Sequence, residues 1–338
     1  MRICIFAIAA ITCVSLNAQE IIPRVVSSNL KNPSGVAIRP VTGEIYVSDT
    51  GRGRIVELQQ DKIKDIVIGF PIEEFEMDRA FILGPTSLLF RNRNQLIVGT
   101  GGAADGEDGI AIFDLEKLGR EPFEFAKDNE SMSTLAANDD EPAEGDFFAM
   151  AATRNRLFVC CHGSDVGWVA TAEWAGEGIE NFKRYLPTRK LSRLPGPGGI
   201  TISPDGHLVV AQMGKRDQAG DSTVCFYDEN GKLLDKFETG LNDIVSLAYG
   251  PKNGNLYALD FSWEDPNKGG LYKLVAVDSQ IGCEAVLIAK LPRPTSMAFD
   301  QSGRLWVTAC GISDAKSNRL DAEFVSPGKV LLFPVIDK

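Results

Sequence analysis

Histidine and tryptophan are scarce in this sequence, which limits the catalytic chemistry that it can carry. The chain of 338 residues has two histidines, His162 and His207, and four tryptophans. Histidine is the most common general base and a frequent metal ligand, so few sites of either kind can be built. The nucleophile motif G-x-S-x-G is absent. A redox site with a quinone cofactor would need many convergent His, Arg and Trp side chains and is disfavoured for the same reason.

Positive charge is also in short supply. Lys and Arg number 35 against 46 Asp and Glu, which gives a formal net charge of -11. Binding to nucleic acid or to an anionic membrane surface needs clustered Lys and Arg side chains. The composition therefore predicts neither kind of partner.

Long hydrophobic runs are missing beyond the first residues. Residues 1–18 have a positive start at Arg2, an apolar run over 3–16 and a Leu-Asn-Ala end that is typical of a cleavage site. This pattern predicts a secretory signal peptide, because the run is shorter than the ~20 residues that span a bilayer. A lipid anchor at Cys13 is the alternative. We expect a secreted or periplasmic protein, residues 19–338, without membrane insertion.

Cysteine pairs of the type that bind metals are missing too. Five of the seven cysteines lie beyond the leader, an odd number, and none has C-x-x-C spacing. Cys160 and Cys161 are adjacent, so a vicinal disulfide is one alternative. In a strand, however, neighbouring side chains point to opposite faces. We expect them to be small buried hydrophobic residues.

What the sequence has in abundance is a repeated strand–turn–strand unit. It is clearest at 32–58, NPSGVAIRPVTGEIYVSDTGRGRIVEL, and returns about every 50 residues. Each copy has a small residue at the start of its first strand and a bulky residue within its second strand. The small residues are Gly35, Ser87, Ala149, Gly199, Ser246 and Ser296, and the bulky ones are Tyr46, Ile97, Phe158, Val209, Tyr257 and Trp306. We expect the bulky residues to pack between sheets and the small ones to lie where strands converge.

Two further strand-like runs follow most of these strand–turn–strand units, so each repeat predicts one sheet of four strands. Six such sheets around an axis form a six-bladed β-propeller. The predicted blades cover 32–70, 84–127, 146–186, 196–239, 243–290 and 293–336. The polar segment 114–146 is expected to hold the outer strand of the second blade and an insertion. The sixth blade is one strand short, so the predicted fold is an all-β, single-domain propeller closed by the N-terminal strand 20–28 in the last blade.

The first repeat resembles an NHL-type repeat, in which a P-x-G start leads to I-Y-V-[SA]-D-[ST] and then R-I. The residues that carry the likeness are Pro33, Gly35, Ala37, Ile45, Tyr46, Val47, Ser48, Asp49, Arg54 and Ile55. The segments SPDGHLVVAQ and SMAFDQSGRLWVTACG look similar to repeats of the SMP-30/gluconolactonase family. That resemblance implies a six-bladed propeller that hydrolyses sugar lactones, with a divalent metal held by Glu, Asn and Asp near the starts of the inner strands.

This sequence departs from the metal site of that family. The residues just before the small-residue positions are Ser34, Thr86, Phe148, Gly198, Val245 and Thr295, none of which is a carboxylate or Asn. Asn242 and Asp243 lie slightly upstream and stay weak candidates. Asp105 and Asp108 are candidates for a divalent cation such as calcium, which prefers oxygen ligands, and an acidic surface turn is the alternative. No other cofactor is predicted, and the G-x-G-x-x-A match at 99–104 is not followed by the helix that a nucleotide site needs.

Loops carry the function of most propellers, because the blades form a fixed framework. The loops 99–109, 213–221, 261–269 and 310–328 follow the second strand of their blades and should share one face. The residues predicted for binding are Asp49, Arg54, His162, Gln212, Asp260 and Trp263. Asp49 and Asp260 have the alternative role of accepting backbone N–H bonds in their own loops, and Trp263 that of a loop anchor.

Two functions stay open on the sequence alone. The favoured one is an exported binding propeller without catalysis, with a protein, peptide or glycan ligand on its loop-rich face. The alternative is a metal-dependent hydrolase of a lactone, like the SMP-30/gluconolactonase family. No catalytic residue is predicted.

Overall fold

Strands dominate the computed structural model, which describes residues 20–60, 62–74, 81–128, 132–162, 166–192, 194–277, 282–313 and 324–337. The predicted signal peptide and part of the 310–328 loop lie outside the described residues. Within these ranges no helix has the length and apolar character needed to cross a membrane.

Each repeat forms an antiparallel sheet of four strands, numbered here from the axis outwards. The first blade consists of Val36–Ile38, Ile45–Asp49, Arg54–Leu58 and Ile63–Ile68, and the second of Pro85–Phe90, Gln95–Thr100, Gly109–Asp114 and Ser133–Thr134. The third consists of Ala149–Ala152, Arg156–Cys161, Trp168–Ala175 and Gly178–Pro187, and the fourth of Gly196–Ile202, Leu208–Met213, Thr223–Tyr227 and Leu233–Glu238. The fifth consists of Ile244–Tyr249, Leu256–Asp260, Gly270–Val277 and Gly282–Lys290. These sheets confirm the all-β, six-bladed fold.

The sixth blade draws on both ends of the chain. Its inner three strands are Pro294–Phe299, Arg304–Ala309 and Gly328–Val335, and its outer strand is Arg24–Leu30. Arg24 pairs with Leu332 and Leu30 with Gly328, antiparallel. The predicted closure of the ring by the N-terminal strand is confirmed.

Blade two differs from its predicted bounds. Its outer strand is only Ser133–Thr134, which lies beyond the interval 84–127. Within that interval, Phe123–Glu124 pairs in parallel with the outer strand of the first blade. The long connection therefore adds a fifth strand to one blade before it completes the next. The short helix Phe125–Asp128 follows this added strand directly.

The remaining elements are short. They are the two-stranded pairs Glu73–Glu74 with Ile82–Leu83 and Ile312–Ser313 with Phe324–Ser326, the helix Thr188–Ser192, and the 3-10 turns Thr50–Arg52 and Pro266–Lys268. The pair at 73–83 belongs to the connection between the first two blades, and its end at Leu83 packs in an apolar cluster with Phe81, Phe261 and Cys310.

The core is divided among the blade interfaces instead of forming one centre. Six apolar clusters each join one pair of neighbouring blades, including the sixth with the first. All six bulky residues of the repeat are buried in them, from Ile97 at 0% exposure to Trp306 at 8%. The prediction that these side chains pack between sheets is confirmed. Burial of each one stabilises the ring by roughly 1.5–3 kcal/mol.

The small residues lie where inner strands approach one another. A Cβ atom added at Gly199 would come within 3.0 Å of the Ser246 backbone nitrogen in the next blade, and one at Gly35 within 2.9 Å of the Thr86 carbonyl. Each inner strand contacts the inner strands of both neighbouring blades, and the first contacts the sixth. A larger side chain at these two positions would therefore push adjacent blades apart.

Cys160, Cys161, Cys225 and Cys283 are free thiols. Cys160 packs in the cluster between the third and fourth blades, and Cys161 in the cluster between the second and third. Their opposite orientation, predicted from strand alternation, is confirmed. Burial raises the pKa of both thiols, which keeps them protonated and unreactive in the folded protein.

Candidate functional site

A ring of six residues opens one end of the central channel. Each ring residue stands just before the small residue of its repeat: Ser34, Thr86, Phe148, Gly198, Val245 and Thr295. The inner strand of each blade begins here, and the second strand ends beside it, as the pairings of Ile244 with Asp260 and of Pro294 with Ala309 illustrate. The loops that follow the second strands therefore emerge around this ring.

Hydroxyl groups on one half of the ring bond neighbouring blades together. Thr295 Oγ1 donates to the Pro33 carbonyl (2.8 Å) and Thr86 Oγ1 to the Phe147 carbonyl (2.8 Å). Ser34 Oγ acts through Thr50 Oγ1, which lies 2.5 Å away and donates to the Pro85 carbonyl (2.8 Å). In every case the acceptor is the residue immediately before the ring residue of the next blade. The other half of the ring, Phe148, Gly198 and Val245, has no side-chain hydroxyl. The ring is thus polar on one side and apolar on the other.

The donor set of this ring does not fit the metal of lactonase-like propellers. Its positions hold no carboxylate, and its hydroxyls are already engaged between blades. Among the described residues, no group of three or more His, Cys, Asp and Glu side chains lies together in a way that could hold a metal ion.

Directly at the ring lies a cavity of about 260 Å³ with an aromatic wall. Phe81, Phe261 and Trp263 form this wall, with ring centroids 5.7 Å apart for Phe81 and Phe261, 5.2 Å for Phe81 and Trp263, and 4.4 Å for Phe261 and Trp263. Phe81 comes from the connection between the first two blades, whereas the other two follow the second strand of the fifth blade. Phe81 packs edge-on against both other rings, and Phe261 and Trp263 are tilted by 46° to each other, contacts that fix the rings relative to one another.

Asp243 is one of the two acidic side chains of the cavity. It precedes the inner strand of the fifth blade and is 4% exposed, and its Oδ2 accepts a 2.9 Å hydrogen bond from the Trp263 backbone N–H. Burial raises its pKa to about 6, against the hydrogen bond from Trp263, and the carboxylates of Asp260 and Asp221 add to the rise. The Asp243 carboxylate therefore positions the Trp263 loop and also presents charge to the cavity.

Asp146 is the second acid, and it was not among the residues predicted from the sequence. It adopts a left-handed backbone conformation, φ 53°, which Asp tolerates better than most residues. Burial raises its pKa to about 8, and the carboxylates of Asp108, Asp105 and Glu73 contribute. No local motif marks this position, because its acidic neighbours come from the 99–109 loop and from the connection between blades.

The candidate calcium loop thus lies behind Asp146. Asp108 is 2% exposed, and its Oδ1 accepts hydrogen bonds from Thr100 Oγ1 and from the N–H groups of Gly102 and Ala103, at 3.0, 3.1 and 3.1 Å. Burial raises its pKa to about 6. The Asp105 residue is exposed overall. Partial burial of its carboxyl group raises the pKa, and the negative charge of Glu73 adds to the rise. Through these hydrogen bonds Asp108 holds the backbone of the 99–109 loop in its turn.

His162 lines the cavity in a neutral form. Its Nε2 lies 2.8 Å from the Pro197 carbonyl oxygen, which can only accept, so Nε2 carries the proton. Its ring packs edge-on against Phe148 at 5.0 Å. Burial lowers its pKa to about 4. The thiol of Cys161 instead lies 3.3 Å from the Trp168 carbonyl, so the two residues do not form a nucleophile–base pair.

Other residues predicted for binding are engaged in their own loops. The Asp49 carboxylate is buried, accepts a bond from the Lys31 N–H at 2.6 Å, and forms ion pairs with Arg52 and Arg54 at 3.0 and 2.7 Å. Arg54 also pairs with Asp65 at 2.8 Å. These groups are not among the residues that line the cavity.

The same holds on the fifth blade. Asp260 accepts bonds from the N–H groups of Asn242, Asp243 and Ser262 at 3.0, 2.8 and 3.2 Å. The Asn242 side chain bonds to the Gly220 N–H and the Ser262 hydroxyl. Gln212 is buried and its Oε1 accepts from Ser192 Oγ at 3.3 Å, while its Nε2 has no partner among the described residues. Of the ten predicted residues, the structure brings His162, Asp243 and Trp263 together at the cavity.

Comparisons with known proteins bear on the fold. No protein-family model and no curated sequence matches the chain. Its structure is similar to that of a gluconolactonase from Xanthomonas campestris, with a TM-score of 0.56 at 13% identity, covering 92% of this chain and 89% of the other. It is also similar to regucalcin, a calcium-binding protein from Agrobacterium tumefaciens, with a TM-score of 0.57 at 12% identity, covering 93% and 94%.

A third similar structure is an aldose sugar dehydrogenase from Streptomyces coelicolor in its PQQ-bound form, with a TM-score of 0.55 at 11% identity, covering 93% of this chain and 97% of the other. The expected structural relation to gluconolactonase-like propellers is confirmed at the level of the fold. At such low identity the likeness extends to the architecture alone.

Proposed function

We propose that this chain is an exported, non-catalytic binding propeller whose cavity at the loop-rich end of the channel holds a small ligand or one projecting group of a peptide or glycan. The observation that carries the proposal is the aromatic-walled cavity directly over a ring without metal ligands. Its volume of about 260 Å³ lies just below the range of ~300–1,000 Å³ that is typical of small-molecule sites. A compact group therefore suits it best.

Polar groups at the cavity support binding more than turnover. The ring hydroxyls are engaged between blades, His162 donates to a backbone carbonyl, and Asp243 holds the Trp263 loop. A hydrolase needs an activated nucleophile or water in reach of its substrate. The metal-dependent lactonase alternative has no such support from the ring residues.

The proposal is tested with a neutral aromatic probe, 2-phenylethanol, by isothermal titration calorimetry. We expect binding to the intact protein and a loss of about tenfold or more in affinity for Trp263→Ala, because the mutation removes a large part of the aromatic wall. Trp174→Ala is the matched control, since Trp174 stacks with Arg91 at 4.5 Å on the third blade and does not line the cavity. Equal affinities for both variants and the parent protein would refute the proposed site.

A second assay addresses the enzymatic alternative. Hydrolysis of glucono-1,5-lactone is followed with added Ca²⁺ and again after chelation. We expect no rate above buffer in either condition. Turnover that chelation abolishes would establish the metal-dependent hydrolase instead.

A further inference from the structure

We propose that the ligand of this cavity is an organic amine, whose protonated amino group lies between Asp146 and Asp243 while its apolar body packs on Trp263 and Phe261. This inference rests on the proposed binding function and names the chemical class of the ligand.

Negative charge dominates the polar part of the cavity. Asp146 and Asp243 line it from the third and fifth blades, and no described cationic side chain forms an ion pair with either carboxylate. Asp105, Asp108 and Glu73 stand behind Asp146, and Asp221 and Asp260 behind Asp243. A bound cation would offset this repulsion, whereas a bound anion would add to it.

Arg216 is the one Lys or Arg among the described lining residues, and its charge is already shared. Its Nε lies 3.2 Å from Glu264 Oε1, and its guanidinium lies 5.9 Å from the centre of the Trp263 ring. Both members of this pair are substantially exposed, so the pair lies at the rim. His162, which faces the same space, is neutral because burial lowers its pKa to about 4. Arg216 lowers the pKa of Asp243 from this rim position, but among the described lining residues no cationic side chain forms an ion pair with Asp146 or Asp243.

The aromatic wall suits the same class of ligand. Aromatic faces attract ammonium groups, by ~0.5–1 kcal/mol at exposed sites and ~2 kcal/mol or more when the pair is desolvated. Phe81, Phe148, Phe261 and Trp263 also give a hydrophobic surface to the carbon skeleton. A sugar lactone has no charge that would use the two acids, and a carboxylate ligand would be repelled by them.

Burial of the acids makes recognition dependent on pH. Burial and neighbouring carboxylates raise the pKa of Asp146 to about 8 and that of Asp243 to about 6, so both acids are fully ionised only in alkaline solution. A cation stabilises the ionised forms, so amine binding should strengthen from pH 6 to pH 8.5. A neutral ligand of the same shape should show no such change.

The experiment compares 2-phenylethylamine with 2-phenylethanol, which differ only in the amino or hydroxyl group, by calorimetry at pH 6 and pH 8.5. We expect the amine to bind about tenfold or more tightly than the alcohol at pH 8.5. Asp146→Asn and Asp243→Asn should each weaken binding of the amine several-fold more than binding of the alcohol, because Asn keeps the size of the side chain and removes its charge. Asp217→Asn, an exposed acid of the same loop as Arg216, should change neither affinity.

The outcomes separate the two proposals. If the alcohol and the amine bind with equal affinity, and Trp263→Ala weakens both, the amine inference is wrong and the proposed binding function stands. If neither probe binds to the intact protein, both proposals are wrong. A preference for the amine that persists in both Asn variants would also overturn the roles of Asp146 and Asp243.

Discussion

Thr295 Oγ1 donates a 2.8 Å hydrogen bond to the Pro33 carbonyl oxygen, and so joins the sixth blade to the first beside the cavity. Thr295→Val keeps the shape of the side chain but leaves this buried carbonyl without its donor. We expect a loss of about 1–3 kcal/mol in the free energy of unfolding. Urea denaturation measures it. The control is Thr42→Val, which removes an exposed hydroxyl and should reduce the free energy of unfolding much less. Equal losses for the two variants would contradict the role of the ring hydroxyls.

Leu30 tests the closure of the propeller. It ends the N-terminal strand, is 2% exposed, and packs in the cluster that holds Trp306 and Leu332. Leu30→Ala should lower the free energy of unfolding by about 2–5 kcal/mol, because it leaves a cavity in the core. Val25→Ala on the same strand, where Val25 is 50% exposed, should cost far less. Equal losses in the free energy of unfolding for the two variants would show that the N-terminal strand does not stabilise the sixth blade.

Asp146 should make stability depend on pH. Its pKa is about 8 in the folded protein and near the ordinary value of 3.8 in the unfolded chain. Between these two pH values the folded form therefore holds a proton that the unfolded form has lost. Stability must therefore fall as pH rises through this window. Asp108 and Asp243 act in the same direction up to about pH 6, whereas His162 acts in the opposite direction between about pH 4 and 6.5.

Above pH 6.5, Asp146 is the main contributor among these four groups. Asp146→Asn resembles the protonated form, so it should reduce the loss of stability between pH 6.5 and pH 8. The loss from one group is at most about 1.4 kcal/mol per pH unit. Urea midpoints at the two pH values, with Asp217→Asn for comparison, measure it. An unchanged slope in Asp146→Asn would show that the proton is held elsewhere.

Cys283 should be the most reactive of the five thiols between residues 20 and 337. It is partly exposed on the outer strand of the fifth blade, whereas Cys160, Cys161, Cys225 and Cys310 are buried. Iodoacetamide labelling followed by peptide mass mapping should modify Cys283 first and the others only in denaturant. Cys283→Ser should remove the early labelling, and early modification of Cys160 or Cys161 would contradict their burial.

The repeat made the architecture predictable from sequence. Tyr46 and its five counterparts recur at a nearly fixed distance because each must fill the same space between two blades. Gly35 and Gly199 are small because the backbone of the next blade lies against them. The outer strand of the second blade was predicted within 114–146, but its position at Ser133–Thr134 could not be predicted, since two residues carry no periodic pattern.

The cavity was only partly predictable. Trp263, Asp243 and His162 follow or precede strands of the repeat, so their position at one end of the channel could be inferred. Phe81 belongs to a connection outside the repeat, and Asp146 gains its neighbours from a different blade. Both depend on contacts between segments distant in sequence, which no local pattern records.

The sixth blade cannot be assembled by an incomplete chain, since Arg24–Leu30 and Gly328–Val335 lie side by side in it. During synthesis Arg24–Leu30 stays unpaired until Gly328–Val335 has been added. A prematurely terminated product keeps open strand edges, which invite aggregation and proteolysis. Burial of Arg24–Leu30 therefore depends on a segment about 300 residues further along the chain, so any product that lacks Gly328–Val335 leaves both the fifth and the first blade without their shared neighbour.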